Sequence, residues 1–273
     1  MTQIETDFIE ERTSFDTVLK AIVLISQKQH GINTDGRGVR AVKIFTRQTL
    51  TGLSLDKILP SQNFIEDYKE DFWDISSIAS LSRNILEGFL SLHFFGLEKV
   101  SSNEAELRFF IWQLHRNKEW YNIRKEDNHE DPELEYFKKG IPEQKERIKN
   151  HPFLKELSKA QQEKALKGHE IYKTKADFEN ELNVCKDLRK NYRLLSNLVH
   201  PLPLSVERVV NEKGRGLRNE FDMYYSLISM MLARSYLAAS TVGIVDLFSD
   251  SLEHEFQNEI DSIRILVYKG FEK

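Results

Sequence analysis

An all-α fold, a helical bundle with a polar helical insertion, is what this sequence predicts, and three observations carry the prediction. Apolar residues recur at helical spacing through most of the chain. No stretch shows the alternation of apolar and polar residues that a sheet needs, and no internal repeat is present. One composition shift stands out, over residues 124–175, where Glu, Lys, Gln, Asn and His replace the apolar stripe. We therefore expect N-terminal helices over 1–60, then a bundle over 61–273 in which 124–175 is a peripheral insertion.

Composition bounds the function. With 273 residues, 40% hydrophobic and 30% charged, the chain can bury a sizeable core. A net charge of −4 confines any nucleic-acid site to a local patch. Cys185 is the one cysteine, which rules out an intrachain disulfide and a thiol pair for redox or zinc chemistry. Its place in an amphipathic stretch fits a small core residue. The opening MTQIETDFIEER is acidic where a secretion signal needs a basic and then an apolar run, so a soluble cytoplasmic protein is expected.

In chain order, Ser14 and Asp16 are read as starting a helix with Phe15, Val18, Leu19, Ile22 and Val23 on one stripe, ended by Gly31. After the loop GINTDGRG a helix is predicted over Val39 to Thr51, with Val42 and Ile44 or Phe45 inward. Arg40, Lys43 and Arg47 make a basic stripe on it, read as a solvated face. Ser54 and Pro60 break the chain. The helix predicted next, Asp71 to Leu97, spans about 40 Å. Its apolar residues, from Phe72 to Leu90, cover much of its circumference and place it centrally. Arg83 and Glu87 interrupt them at a spacing that allows an ion pair, and His93 reads as a core histidine.

Ser101 with Glu104 makes a capping box for a helix reaching about Ile123, with Leu107, Phe110, Ile111 and Leu114 inward. Trp112, Trp120 and Tyr121 are read as packing bulk. The polar segment is expected to be short exposed helices broken by Pro132, Gly140, Pro142, Pro152 and Gly168, forming a cap without a core of its own. Leu217 to Val245 is a second strongly apolar helix. Ser226, Ser229, Arg234 and Ser235 interrupt it, which argues for a packed core and against a membrane span. A last amphipathic helix is predicted over Ser251 to Val267, with Leu252, Phe256, Ile260 and Ile263 in phase.

The stretch richest in chemistry runs from Asp177 to His200. Leu182, Leu188, Leu195 and Val199 give it one buried face, and Pro201 stops the helix at His200 or one residue before. An imidazole thus sits at the negative end of a helix dipole, where a cation is stabilised. Arg193 lies two turns earlier on the same face, with Ser196 and Asn197 between. Lys186, Arg189, Lys190, Arg208, Lys213, Arg215 and Arg218 add basic density nearby. Other signatures are missing. No phosphate-binding loop, dinucleotide fingerprint, metalloprotease helix, paired Glu-x-x-His or serine elbow occurs, so hydride transfer, metallohydrolysis and serine hydrolysis are disfavoured.

An arginine followed by a histidine late in a helical bundle, here Arg193 and His200, resembles the HEPN superfamily of prokaryotic nucleases and toxins. LSRNILEG at Leu81–Gly88 with YRLLSNLVHP at Tyr192–Pro201 is also similar to a widespread uncharacterised prokaryotic helical family, with an Arg-x-x-x-Glu helix and a later Leu-Ser-x-x-x-His helix. The resemblance implies a homodimer that cleaves RNA without metal or cofactor, as a toxin or in phage defence or stress response. Arg193 would hold the scissile phosphate and His200 would transfer protons, supported by Asn197 and Glu87. Arg83, Arg189, Tyr192, Ser196, Arg215 and Arg218 would help bind. The pattern departs at Leu194, where the superfamily usually has a polar residue, and Asn197 stands in for it. We further expect Glu87, read as buried, within hydrogen-bond or one-water reach of Arg193 or His200, and a two-fold axis near His200, with the last helix in the interface. The competing expectation is a non-catalytic interaction module in which His200 caps its helix and Arg193 pairs structurally.

Overall fold

The computed structural model describes residues 1–29, 31–61, 72–126, 132–168, 171–200, 203, 206 and 219–268, and every regular element among them is helical. The chain divides into two compact units, Met1–Leu97 with Phe178–Lys273, and Glu98–Asp177.

The first unit holds α1 (Gln3–Lys28), α2 (Gly36–Ile58), α3 (Ile75–Leu92), α8 (Leu188–Val199), α9 (Glu220–Leu247) and α10 (Ser249–Tyr268). Helix α9 is its axis, with α1, α2, α3 and α10 packed against it. The N-terminal helices are thus part of the bundle, not a separate region ahead of it. Helix α9 is the one described helix long and apolar enough to cross a membrane, and 72% of its most apolar window is buried inside the protein. Its buried Arg234 pairs with Glu11 of α1 and donates to the Leu266 carbonyl of α10, so the charge is compensated on both sides. Burial nonetheless pushes the Glu11 carboxyl up, against the pull of Arg234.

Several expected boundaries move. Helix α1 begins at a capping box of Thr2 and Glu5, a full three turns before Ser14, and its C-cap is Gln29, followed by Gly31 at φ +85°. Helix α2 starts at Asp35, whose carboxylate accepts from Gly38 N–H, and it runs through Ser54 to Ile58. Phe45 is buried as expected, whereas Lys43 and Arg47 are exposed. Helix α3 is capped by Asp74, while Phe72, just before it, is exposed and does not join the core. The end of α3 widens into a π-turn over His93–Leu97. A Cβ on Gly96 would lie 2.6 Å from the Ala41 Cβ of α2, which fixes glycine there. His93 packs between the rings of Phe89 and Phe178.

The long helix expected over Asp177–His200 is broken in two places. Helix α7 (Lys175–Glu181) stops there, Leu182 is extended, Asn183–Cys185 form a 3₁₀ turn, and Asp187 adopts the left-handed conformation at φ +60° before α8 begins. Cys185 fills a buried position there, and burial pushes its thiol up to about 12. The apolar face of α10 is turned inward: Leu252, Phe256, Ile260 and Ile263 are all buried. That face is thus spent on the core.

The second unit holds α4 (Ser102–Glu126), α5 (Pro132–Lys149), a 3₁₀ turn at Pro152–Glu156 and α6 (Lys159–Lys167). The polar segment is therefore not a cap without a core, because with α4 it buries Leu107, Ile111, Leu114, Ile148, Leu154 and Tyr172. Helix α5 continues through Gly140 and Pro142, since an interior proline removes one backbone bond without always ending a helix. Gly168 closes α6 in the left-handed conformation. Ser101 caps α4 by accepting from Glu104 N–H, but the Glu104 carboxylate turns instead to Arg108 and to the Tyr172 hydroxyl, 2.6 Å away. Arg108 is buried and also holds Glu98 at 2.9 Å, and Lys173 joins Glu98 at 2.7 Å. Burial raises the Glu98 carboxyl, but the bonds from Arg108 and Lys173 outweigh it and hold the group below its ordinary range.

Candidate functional site

The two motif segments meet, because α3 packs along α8. Helix α8 buries Leu188 and Leu195 against the bundle and is tied down at three points along its length. At its start, Arg189 donates from its backbone N–H to Glu179 at 2.6 Å and from its guanidinium at 2.5 Å, which holds the Glu179 carboxyl below its ordinary range. At its middle, the Tyr192 hydroxyl accepts from Arg83 at 2.6 Å, and the Arg83 guanidinium lies 4.7 Å from the Tyr192 ring centre. Arg83 also donates to Glu87 at 3.1 Å. Burial, then the hydrogen bond to Glu87, push the Tyr192 hydroxyl up. At its end, the Ser76 hydroxyl donates to the Val199 carbonyl at 3.0 Å.

This geometry assigns the Arg-x-x-x-Glu motif to a clamp on Tyr192. The bonds that Glu87 makes go to Arg83 and Tyr192, not to Arg193 or His200. Its side chain is 43% exposed rather than buried, so its charge has no need of a deep cationic partner. Arg83 and Tyr192 are occupied with one another, and Arg189 is held by Glu179.

Arg193 is different. It is exposed, and among the described residues its guanidinium has neither a hydrogen bond nor an ion pair. One turn on, Asn197 donates its amide to the Arg193 carbonyl at 2.8 Å, and Ser196 donates to the Tyr192 carbonyl at 2.8 Å. Both side chains are thus partly spent on their own helix. His200 is the C-cap, exposed, in extended conformation at φ −91° and ψ 138°, with its N–H on the Ser196 carbonyl at 3.4 Å. The helix stops where Pro201 requires. Pro201, Arg208, Lys213, Arg215 and Arg218 lie outside the described residues.

Sequence reasoning missed Glu179 and the clamp. Glu179 gave no signal, since its partner lies across two chain breaks. The Tyr192 pairing was open to inference from the aromatic residue beside Arg193, facing the one charged pair of α3.

Among the described residues, no three His, Cys, Asp or Glu side chains are grouped so as to hold a metal ion. Comparison with curated proteins and with solved structures finds no match. A family model covers more than half of the sequence, including both motif segments and the whole second unit. The chain belongs to that family, DUF5677, a family of unknown function, through residues 61–217.

Proposed function

We propose that this chain is a HEPN-like endoribonuclease, acting in the cytoplasm as a homodimer and serving as a toxin in phage defence or stress response. The observation that carries the reading is Arg193. A surface arginine beside Tyr192, on a helix anchored at three points, has no partner among the described residues, while Arg83 and Arg189 are both tied. Guanidinium on a rigid helix is suited to grip a phosphate through two hydrogen bonds. His200, at the exposed end of the same helix, supplies an imidazole that can accept and give protons.

The reaction follows from those two groups. An imidazole takes the 2′-hydroxyl proton as the 2′-oxygen attacks phosphorus. The bond to the 5′-oxygen breaks, and a second imidazole, from the other copy, gives that oxygen a proton. A 2′,3′-cyclic phosphate and a 5′-hydroxyl end result, with no metal or cofactor used. Arg193 neutralises the charge that builds on the phosphoryl oxygens. Arg83, Glu87 and Tyr192 serve as positioning residues for the helix. A non-catalytic interaction module draws support from the same clamp, which gives the motif a structural use. It does not explain Arg193, which pairs with nothing among the described residues.

The deciding experiment incubates purified protein with total RNA in excess EDTA. Cleavage to cyclic-phosphate ends is expected, lost on Arg193→Ala and on His200→Ala with helical content unchanged. No cleavage by the native chain, or cleavage that survives both substitutions, overturns the reading.

A further inference from the structure

The seam between α2 and α3 is closed on one side and exposed on the other. Gln48 of α2 donates to the Ile85 carbonyl of α3 at 3.1 Å, and a Cβ on Gly88 would lie 3.0 Å from its side chain. Helix α9 closes the inner side, where Leu237 reaches Gly52 and Tyr236 meets Phe89. Helix α8 holds α3 from another side, through Ser76 and Arg83. With about 3.6 residues per turn, Ser77, Ser80, Asn84 and Ser91 fall on α3 between the side that meets α8 and the side that meets α2. Asn84 is exposed and the three serines are half-buried. They floor a shallow groove walled by α2 and α8, since these two helices pack on α3 and not on each other.

The walls are basic. On α2, away from α9, Lys43 and Arg47 are exposed, and neither has a hydrogen bond or ion pair among the described residues. Five of the charged side chains of α2 are cations, and its single acid, Asp56, is bound to Arg12. On α8, Arg193 stands exposed next to Tyr192, where that helix meets Arg83. The one carboxylate within α3, Glu87, is held by Arg83.

We propose that this groove carries a single strand of RNA, its phosphates on Lys43 and Arg47 and its riboses and bases over Asn84 and the serines. The destination of the strand, Arg193 and His200, rests on the nuclease reading; the affinity of the groove does not. Two cations without partners, on a helix whose one acid is tied, match a chain of phosphates. Hydroxyl and amide side chains along the floor offer hydrogen bonds to the 2′-hydroxyls and base edges that an unpaired strand presents. The floor is one helix wide, about 10 Å, which admits a single strand and not a duplex.

The probe is a 2′-O-methyl oligonucleotide of about 15 nucleotides, which lacks the attacking hydroxyl and stays intact, read by fluorescence anisotropy with the full chain. Binding is expected, weakened steeply by salt over about 0.05–0.2 M. Lys43→Ala with Arg47→Ala removes two phosphate contacts. The slope of log affinity against log salt should fall by about 1.4, and the affinity itself about 25-fold at about 0.1 M salt. Asn84→Ala should weaken binding and leave the slope unchanged. All three sites are exposed, so circular dichroism should show the variants folded. A native chain that does not bind sinks the proposal, as does a double variant with the native slope. So does a duplex, or poly-glutamate standing in for an acidic protein, that binds as tightly as the single strand. Cleavage of total RNA separates this inference from the nuclease reading. A chain that binds through Lys43 and Arg47 yet leaves RNA intact keeps the groove and loses the nuclease. One whose double variant cuts RNA as fast as the native chain keeps the nuclease and loses the groove.

Discussion

Arg193 and Tyr192 are neighbours on one helix and do opposite things. Tyr192 turns in to the Arg83–Glu87 pair, and Arg193 turns out to solvent. The two should separate cleanly on substitution. Arg193→Ala removes no hydrogen bond or ion pair among the described residues and should leave stability within about 0.5 kcal/mol, while Tyr192→Phe removes a bonded hydroxyl and should cost about 1 kcal/mol. Urea denaturation of both variants measures this, and a larger loss for Arg193→Ala would mean that the guanidinium is a structural group after all. The sequence showed which residues stood together here but not which way each faced. A residue pair one apart points to different sides of a helix, and only the packing of α3 decides which side is inward. Glu87 was placed in the wrong company for the same reason. Its nearest cation, four residues back on its own helix, is an ordinary helical pairing, and Tyr192 completes the set.

Helix stops were legible where a residue type forces them. Pro201 ends α8, and Gly168, left-handed, ends α6. The breaks at Leu182 and Asp187 carry no such mark, because an extended leucine and a left-handed aspartate are conformations that ordinary sequence statistics leave open. The start of α1 was legible and overlooked, since Thr2 and Glu5 spell a capping box. Helix α4 was ambiguous in a different way: it carries two apolar faces, and periodicity cannot say which one the core takes. Its anchor yields a prediction on pH. Glu98 titrates below the ordinary 4.5 because Arg108 and Lys173 hold it charged. Its bonds therefore contribute fully above that pH, and the contribution is lost as pH falls through the lower folded value. Thermal melts at about pH 7, 4 and 3, which bracket this window, should show Glu98→Gln well below the native chain at pH 7, with the gap narrowing in acid. A gap that widens in acid would contradict the assignment.

At the scale of the whole molecule, the composition shift at 124–175 was real, but it marked only part of a unit whose core also needs α4. Residues 98–177 should consequently fold on their own. Expressed alone, they are expected to show a helical circular dichroism spectrum and a cooperative melt, and a spectrum without helix would show that the unit needs the rest of the chain. The first unit has no such independence in time. Its clamp joins Arg83 to Tyr192, 109 residues apart, and Arg234 finds Glu11 across 223 residues. Closing a loop of about a hundred residues costs roughly 2 kcal/mol more entropy than closing one of ten, and such distant pairings slow folding. During synthesis, α1 to α3 leave the ribosome long before α9 exists to cover them. The half-made chain must therefore carry bare apolar helices through the translation of the entire second unit, which marks this protein as a client for chaperones that shield nascent chains.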